Sequence, residues 1–330
     1  MKRRNFLSLI SSAVATWPLA ARAQQSERKR HIAMMIVNAE SDPEGQARVA
    51  AFRRGLQERG WTEGRNLRID YRWGAGEPAR ARAFASEFVA LAPDVIVANG
   101  TPGLAALHQA TSSIPIVLVL VVDPVGAGFV QSLARPGGNI TGFSSFEPEI
   151  GGKWLELLKE IAPGLSRVAG ILDPDFRGFA AVWRAIENLG PKFGLKVTSV
   201  AFRNPTDDIE AAVSTFAQSP GGGLIVLPTA INNVHRDRII SLAARHRLPA
   251  VYPFPQYATS GGLMSYGVDT VDVFQRGASY VDRILKGERP ADLPVQAPTK
   301  YDLIINLKTA KALGLDVPWF LQQRANKVIE

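Results

Sequence analysis

Val95-Ile-Val-Ala-Asn-Gly-Thr-Pro-Gly-Leu104 decides how the rest of the chain is read. Val95 to Ala98 is a short, β-branched apolar run, as in a strand buried on both faces. Gly100 permits a tight turn at its end. Thr101 precedes a proline, which biases it away from helical dihedrals and suits an N-cap. Pro102 fits the first helical position, where no backbone N–H is required. A helix then runs through Leu104 to Ala110. A strand that turns this sharply into a helix leaves free N–H groups and a positive dipole end facing outward, where a carboxylate is well held. Ligands of open α/β sheets sit at this carboxyl end of the strands. An ordinary capped turn has the same sequence, so Asn99, Gly100 and Thr101 are candidates and no more.

The same rhythm extends to both sides. His31 to Val37 is an apolar strand, and Asn38 to Glu44 a polar loop at its end. Gln46 to Arg59 carries Val49, Phe52 and Leu56 at the spacing of one helix face, and Gly60 stops it. Leu67 to Trp73 alternates as a half-exposed strand, Pro78 to Leu91 is helical, and Ile114 to Val122 is a further buried strand. Asp123-Pro124 ends that strand, and a short helix is expected over Gly126 to Leu133. Alternating strands and helices predict a parallel, doubly wound sheet.

Arg135-Pro-Gly-Gly-Asn139 breaks the rhythm and Ile140 to Ser144 is extended. The alternation then restarts: helix Lys153–Ile161, strand Val168–Leu172, helix Ala180–Leu189, strand Leu195–Phe202. A helix opens at Thr206, the strand Leu224–Leu227 follows, Val234 to His246 is helical, and Ala250 to Tyr252 is a short strand. Gly261 to Gly267 is a second irregular extended stretch before the helix Val271–Leu285. A proline-rich link, Pro290 to Pro298, precedes a last strand, Tyr301–Leu307, and two short helices. The reading is an α/β protein of two doubly wound lobes joined by a three-segment hinge with a cleft between them. The first lobe takes residues 31–140 and about 267–298, the second 143–264 and about 300–330.

Composition narrows the chemistry. The 330 residues contain no cysteine, which excludes disulfides, thiolate metal sites and a lipidated cysteine. The net charge is +8, but Lys2, Arg3, Arg4 and Arg22 lie in the first 23 residues, leaving +4 dispersed among acids. That dispersal argues against a nucleic-acid partner. Residues 1–23 have a basic head, a moderately apolar run and Ala21-Arg-Ala23, the pattern of a cleaved export leader. Arg3-Arg-Asn-Phe-Leu7 resembles a twin-arginine motif. Export to the periplasm, with cleavage near Ala23, is expected. No histidine pair has metal-ligand spacing, and no nucleophile elbow or phosphate loop occurs, so no cofactor is expected.

Several further pieces occur in order: Ile114-Pro-Ile-Val117, Asp123-Pro-Val125, Ser132-Leu-Ala-Arg-Pro-Gly-Gly-Asn-Ile-Thr-Gly142, Gly261-Gly-Leu-Met-Ser-Tyr-Gly267, Tyr280-Val-Asp-Arg-Ile-Leu-Lys-Gly287, Pro290-Ala-Asp-Leu-Pro294 and Ile305 to Gly314. Together they resemble the tryptophan/tyrosine-type substrate-binding proteins of ABC transporters, with the type I periplasmic-binding fold. The resemblance implies capture of a small solute, delivery to a membrane permease and no chemistry on the ligand.

Strand ends and crossings supply the remaining ligand candidates. Asp123 ends a first-lobe strand. Ser144 and Ser145 can donate to a carboxylate, and Phe146 either stacks on a flat ligand or belongs to the core. Asp173 and Asp175 can pair with an ammonium group. Thr229, Tyr252 and Tyr266 sit at second-lobe strand ends or at a crossing, where either tyrosine can close an aromatic cage. The predicted protein is a monomer that closes on a carboxylate-bearing aromatic solute. Two other readings stay open: a ligand-sensing module for a membrane receptor, and an enzyme using Asp173 or Asp123 as a base.

Overall fold

The computed structural model describes residues 29–172, 179–201 and 208–330. Residues 1–23, expected to be an export leader, and Asp173 and Asp175 lie outside these residues. The first sheet is built from β1 (Arg30–Ile36), β2 (Leu67–Trp73), β3 (Val95–Asn99), β4 (Ile116–Val121) and β5 (Ile140–Ser144). Its order is β2-β1-β3-β4-β5, with every pair parallel. The helices of this lobe are α1 (Pro43–Gln57), α2 (Pro78–Leu91) and α3 (Thr101–Ala110).

Side-chain alternation explains the layering. Ile32, Met34 and Ile36 of β1 pack in one core with Val49, Phe52 and Leu56 of α1. Ala33 and Met35, pointing the other way, pack with Ala85 and Phe88 of α2 and Leu104 and Leu107 of α3. Every residue of β3 and β4 is buried, as covering helices on both faces require.

The second sheet begins after α4 (Ile150–Ile161). It contains β6 (Arg167–Leu172), β7 (Lys196–Ala201), β8 (Gly222–Val226), β9 (Ala250–Tyr252) and β10 (Met264–Gly267). Between them run α5 (Ala180–Leu189), α6 (Asp208–Ala217), α7 (Ala230–Val234), α8 (Arg236–Arg245) and α9 (Pro255–Thr259). The chain then returns to the first lobe, where α10 (Thr270–Leu285) packs on α1 and β4. It comes back as β11 (Asp302–Asn306), α11 (Leu307–Ala312), α12 (Trp319–Arg324) and β12 (Lys327–Ile329). The sheet order is β12-β11-β10-β9-β8-β6-β7. Its inner part, β7-β6-β8-β9-β10, repeats the order of the first lobe, although no repeat is visible in the sequence. Both sheets therefore reverse direction beside their first strand, which opens a crevice at the carboxyl ends of β1 and β3 and of β6 and β8.

Four local expectations are corrected. β11 runs antiparallel to β10, so the second sheet is mixed. Gly126 to Leu133 forms turns and no helix. Gly128 takes φ 77° there, and the Asp123 carboxylate accepts from the Gly126 N–H at 2.8 Å, closing a turn in place of a first helical turn. The helix expected over Val234–His246 is present as α8, but α7, set off from it at His235, was not anticipated. α9 was not anticipated, because Pro255 and Ser260 confine it to five residues.

The first and third crossings run side by side. Ser144 N–H donates to the Gln296 carbonyl at 2.9 Å, and Gln296 N–H to the Gly142 carbonyl at 2.8 Å. Thr141 Oγ1 donates to the Leu293 carbonyl at 2.6 Å, and Tyr280 OH to the Pro294 carbonyl at 2.7 Å.

Candidate functional site

One cleft is lined by both lobes at their strand ends. The first lobe contributes Val37 after β1, Arg48 of α1, the Asn99–Pro102 turn, and Leu120 and Val122 at the end of β4. The second contributes Phe179, Pro228 after β8, Asn233 of α7 and Phe254 after β9. The crevice rule thus places the site in each lobe separately, and the fold sets the two halves face to face.

The Asn99–Thr101 turn has the anticipated position with a different internal construction. Gly100 is the N-cap of α3, at φ 78° and ψ 158°, a conformation that a Cβ would strain. Thr101 is already helical, which corrects its reading as the cap. Proline follows it in the first turn, so the extended bias on a pre-proline residue is overridden by the turn at glycine. The Thr101 N–H, at the first helical position, has no intrahelical acceptor. The Asn99 side chain is committed to the scaffold: Oδ1 accepts from Val37 N–H at 3.1 Å and Nδ2 donates to the Val119 carbonyl at 3.4 Å. It therefore ties β1, β3 and β4 together beneath the turn.

Leu120 enters the cleft through a bulge. The register between β4 and β5 shifts between Val119 and Val121, and Leu120 takes φ 55°. Such backbone is uncommon for a non-glycine residue and re-aims the side chain.

Arg48 is the charged group that sequence reading missed. It is 2% exposed, on a face of α1 that also buries Gly45, Val49 and Phe52. Its Nε donates to Thr270 Oγ1 at 3.1 Å and its Nη1 to Asn38 Oδ1 at 3.1 Å. Its guanidinium lies 5.9 Å from the centroid of the Phe254 ring, across the cleft. Burial pulls its pKa below the ordinary arginine value, opposed by Glu44 and Asp42. The signal for it was an arginine three residues after Gly45 and four before Phe52, on the apolar side of its helix.

The other predicted residues fall into separate groups. Ser144 and Ser145 are buried at the first crossing. Ser144 Oγ lies 3.4 Å from the Gln296 carbonyl, and Ser145 N–H donates to the Val121 carbonyl at 3.0 Å. Ser145 Oγ is buried without a partner. Phe146 is 1% exposed and packs on Trp154, Phe254 and Tyr301 with centroids 5.7, 5.6 and 6.3 Å away. It stands behind Phe254 and does not line the cleft, and the core alternative describes it. Tyr266 stacks on Tyr301 at 5.6 Å in the same hinge cluster. Tyr252 is buried against Tyr257 with centroids 5.0 Å apart, and burial raises both hydroxyl pKa values. Thr229 caps α7, its Oγ1 accepting from Asn232 N–H at 3.2 Å. The Asp123 carboxylate serves its own turn. Glu147, beside the first crossing, has its carboxyl pKa raised by burial and by Glu149 and Asp123, while the Ser144 hydroxyl opposes the shift. Among the described residues no three acidic or histidine side chains gather as a metal site, and no helix is long and apolar enough to cross a membrane.

Two lobes of repeated sheet order, three crossings and a cleft at facing strand ends define a binding protein of the periplasmic type. The family model described as "ABC transporter substrate binding protein" matches residues 33–329, and the chain belongs to that family. It is 28% identical over 267 residues to a tyrosine-binding protein of Clostridioides difficile, covering 80% of this chain and 75% of that one. It superposes with a TM-score of 0.84 on an ABC domain from Streptococcus pneumoniae in complex with L-Trp, at 24% identity and covering 91% of this chain and 100% of that one. Against the ligand-free, open structure of a substrate-binding protein from Clostridium difficile the TM-score is 0.67, at 25% identity over 91% and 99% of the chains.

Proposed function

We propose that this chain is the extracytoplasmic receptor of an ABC importer and that it captures an aromatic amino acid by closing its lobes. The lobes divide near residues 142, 267 and 298, the three points where the chain passes between sheets. The observation that carries the reading is the cleft wall itself. Val37, Gly100, Thr101 and Leu120 stand on one lobe, and Phe179, Pro228 and Phe254 on the other. Only a closed pair makes both sets of contacts, so a ligand that touches both favours closure. The higher TM-score against the L-Trp complex than against the open, ligand-free structure supports reading the present arrangement as closed. The tyrosine-binding relative supports the ligand class. The leader pattern supports export to the periplasm, after which the protein acts as a monomer and docks, closed, on its permease.

Thermal unfolding against a panel of L-tryptophan, L-tyrosine, L-phenylalanine, L-leucine, sugars and nucleobases tests this. An aromatic amino acid at a hundredfold excess over its Kd stabilises the folded state by about 2.7 kcal/mol. The expected result is a midpoint shift with the aromatic amino acids; a shift with sugars or nucleobases alone overturns the proposal.

A further inference from the structure

Arg48 is buried in the cleft wall without a full set of partners. Two of its nitrogens are held by neutral acceptors, Thr270 Oγ1 and Asn38 Oδ1, each at 3.1 Å. The third, Nη2, is buried and has no hydrogen-bond partner. Two acids oppose its burial from a distance, Glu44 and then Asp42, and Asp42 is already occupied: one oxygen accepts from Asn38 Nδ2 at 2.7 Å and the other from Glu44 N–H at 2.9 Å. Asp42 therefore orients Arg48 through the Asn38 amide and leaves its charge without direct contact. A buried guanidinium in this condition is costly unless an anion completes it. The planar fork matches a carboxylate better than any neutral group. Arg48 and Thr101 line the same cleft, and the Thr101 N–H adds a second donor there.

We infer that Arg48 Nη2, with the Thr101 amide, receives the carboxylate of the ligand, so that a free carboxylate is obligatory for binding. The inference rests on the cleft being the ligand site. It also links recognition to closure, because Arg48 belongs to the first lobe and its aromatic neighbour Phe254 to the second. An anion on Arg48 is then sealed beneath a ring that arrives only when the lobes meet.

The test is calorimetric titration of the wild-type protein with L-tryptophan, tryptamine (the same molecule without the carboxylate) and indole-3-propionate (without the ammonium), and of Arg48→Gln and Arg48→Lys with the same probes. Tryptamine is expected to bind about a hundredfold more weakly than L-tryptophan, since removing one member of a buried charge pair costs that much or more. Arg48→Gln is expected to lose a similar factor for L-tryptophan and none for tryptamine, and Arg48→Lys to recover part of it. Tryptamine binding as tightly as L-tryptophan, or undiminished L-tryptophan binding by folded Arg48→Gln, overturns the assignment. If Arg48→Gln does not fold, the wild-type comparison decides alone. If no aromatic compound binds but L-leucine does, the aromatic reading falls, and L-leucine against isoamylamine judges Arg48 in the same way. Failure of every carboxylate to bind overturns both.

Discussion

Replacing Trp154 by alanine is expected to lower the thermal midpoint by roughly 5–10 °C, the equivalent of about 3–5 kcal/mol in a chain of this size. Trp154 is fully buried at the start of the second lobe and is the largest such side chain. Its ring meets Phe146 edge-on at 5.7 Å, and its Nε1 donates to the Tyr266 carbonyl at 2.8 Å. α4, which follows the first crossing, is thereby pinned to β10, which leads into the second. Alanine removes the ring and leaves both a cavity and a buried carbonyl without a donor. Trp154→Phe restores most of the volume and none of the hydrogen bond, so its midpoint should fall between the two. Calorimetric unfolding of the three proteins checks this; equal midpoints for alanine and wild type would mean that the hinge cluster contributes little to stability.

The second large effect is expected at Gly267, where the chain leaves the second sheet. A Cβ on this residue would lie 1.7 Å from the Pro253 carbonyl oxygen and 3.4 Å from the Phe146 ring. The blocking atom is backbone, so relief requires moving β9 or the crossing itself. Gly267→Ala should cost more than the roughly 1–3 kcal/mol usual for overpacking. Gly164, in the loop after α4, has nothing within 4 Å of the corresponding position, so Gly164→Ala is the control with little or no loss. Urea titration of both variants separates the cases. A Gly267→Ala midpoint matching that of Gly164→Ala would contradict the close approach of the crossing to β9.

How much of this was legible in the sequence depended on whether the cause was local. Strands β3 and β4 announced themselves because burial on both faces demands continuous apolar runs. The turn at Gly100 was legible because glycine, threonine and proline each constrain their own backbone. The direction of β11 was not, since a strand after a proline-rich link can enter the sheet either way and tertiary packing chooses. Leu120 sits in an unbroken run from Ile114 to Val122, with no turn residue to mark the bulge that points it into the cleft. Arg48 shares its helix with Arg53 and Arg54, which are both exposed. Only the face shared with Gly45, Val49 and Phe52, and the approach of α10 bearing Thr270, distinguish it. Phe146 and Tyr252 were legible as aromatics near strand ends, yet the rings that reach the cleft are Phe179 and Phe254, the latter between two prolines after β9. Which member of an aromatic cluster faces a ligand is fixed by packing several elements deep.

On the proposed function, the lobes close on an aromatic amino acid held between the Gly100–Thr101 turn and Phe254. The absence of cysteine from the chain makes a direct measurement available. Val125, 39% exposed after β4, and Val234, 50% exposed at the end of α7, stand on the two lobes. Cysteines introduced at both positions and spin-labelled report the interlobe distance. Saturating L-tryptophan should shift a longer, broader distance distribution to a single shorter one. An unchanged distribution with L-tryptophan demonstrably bound would contradict closure as the basis of capture.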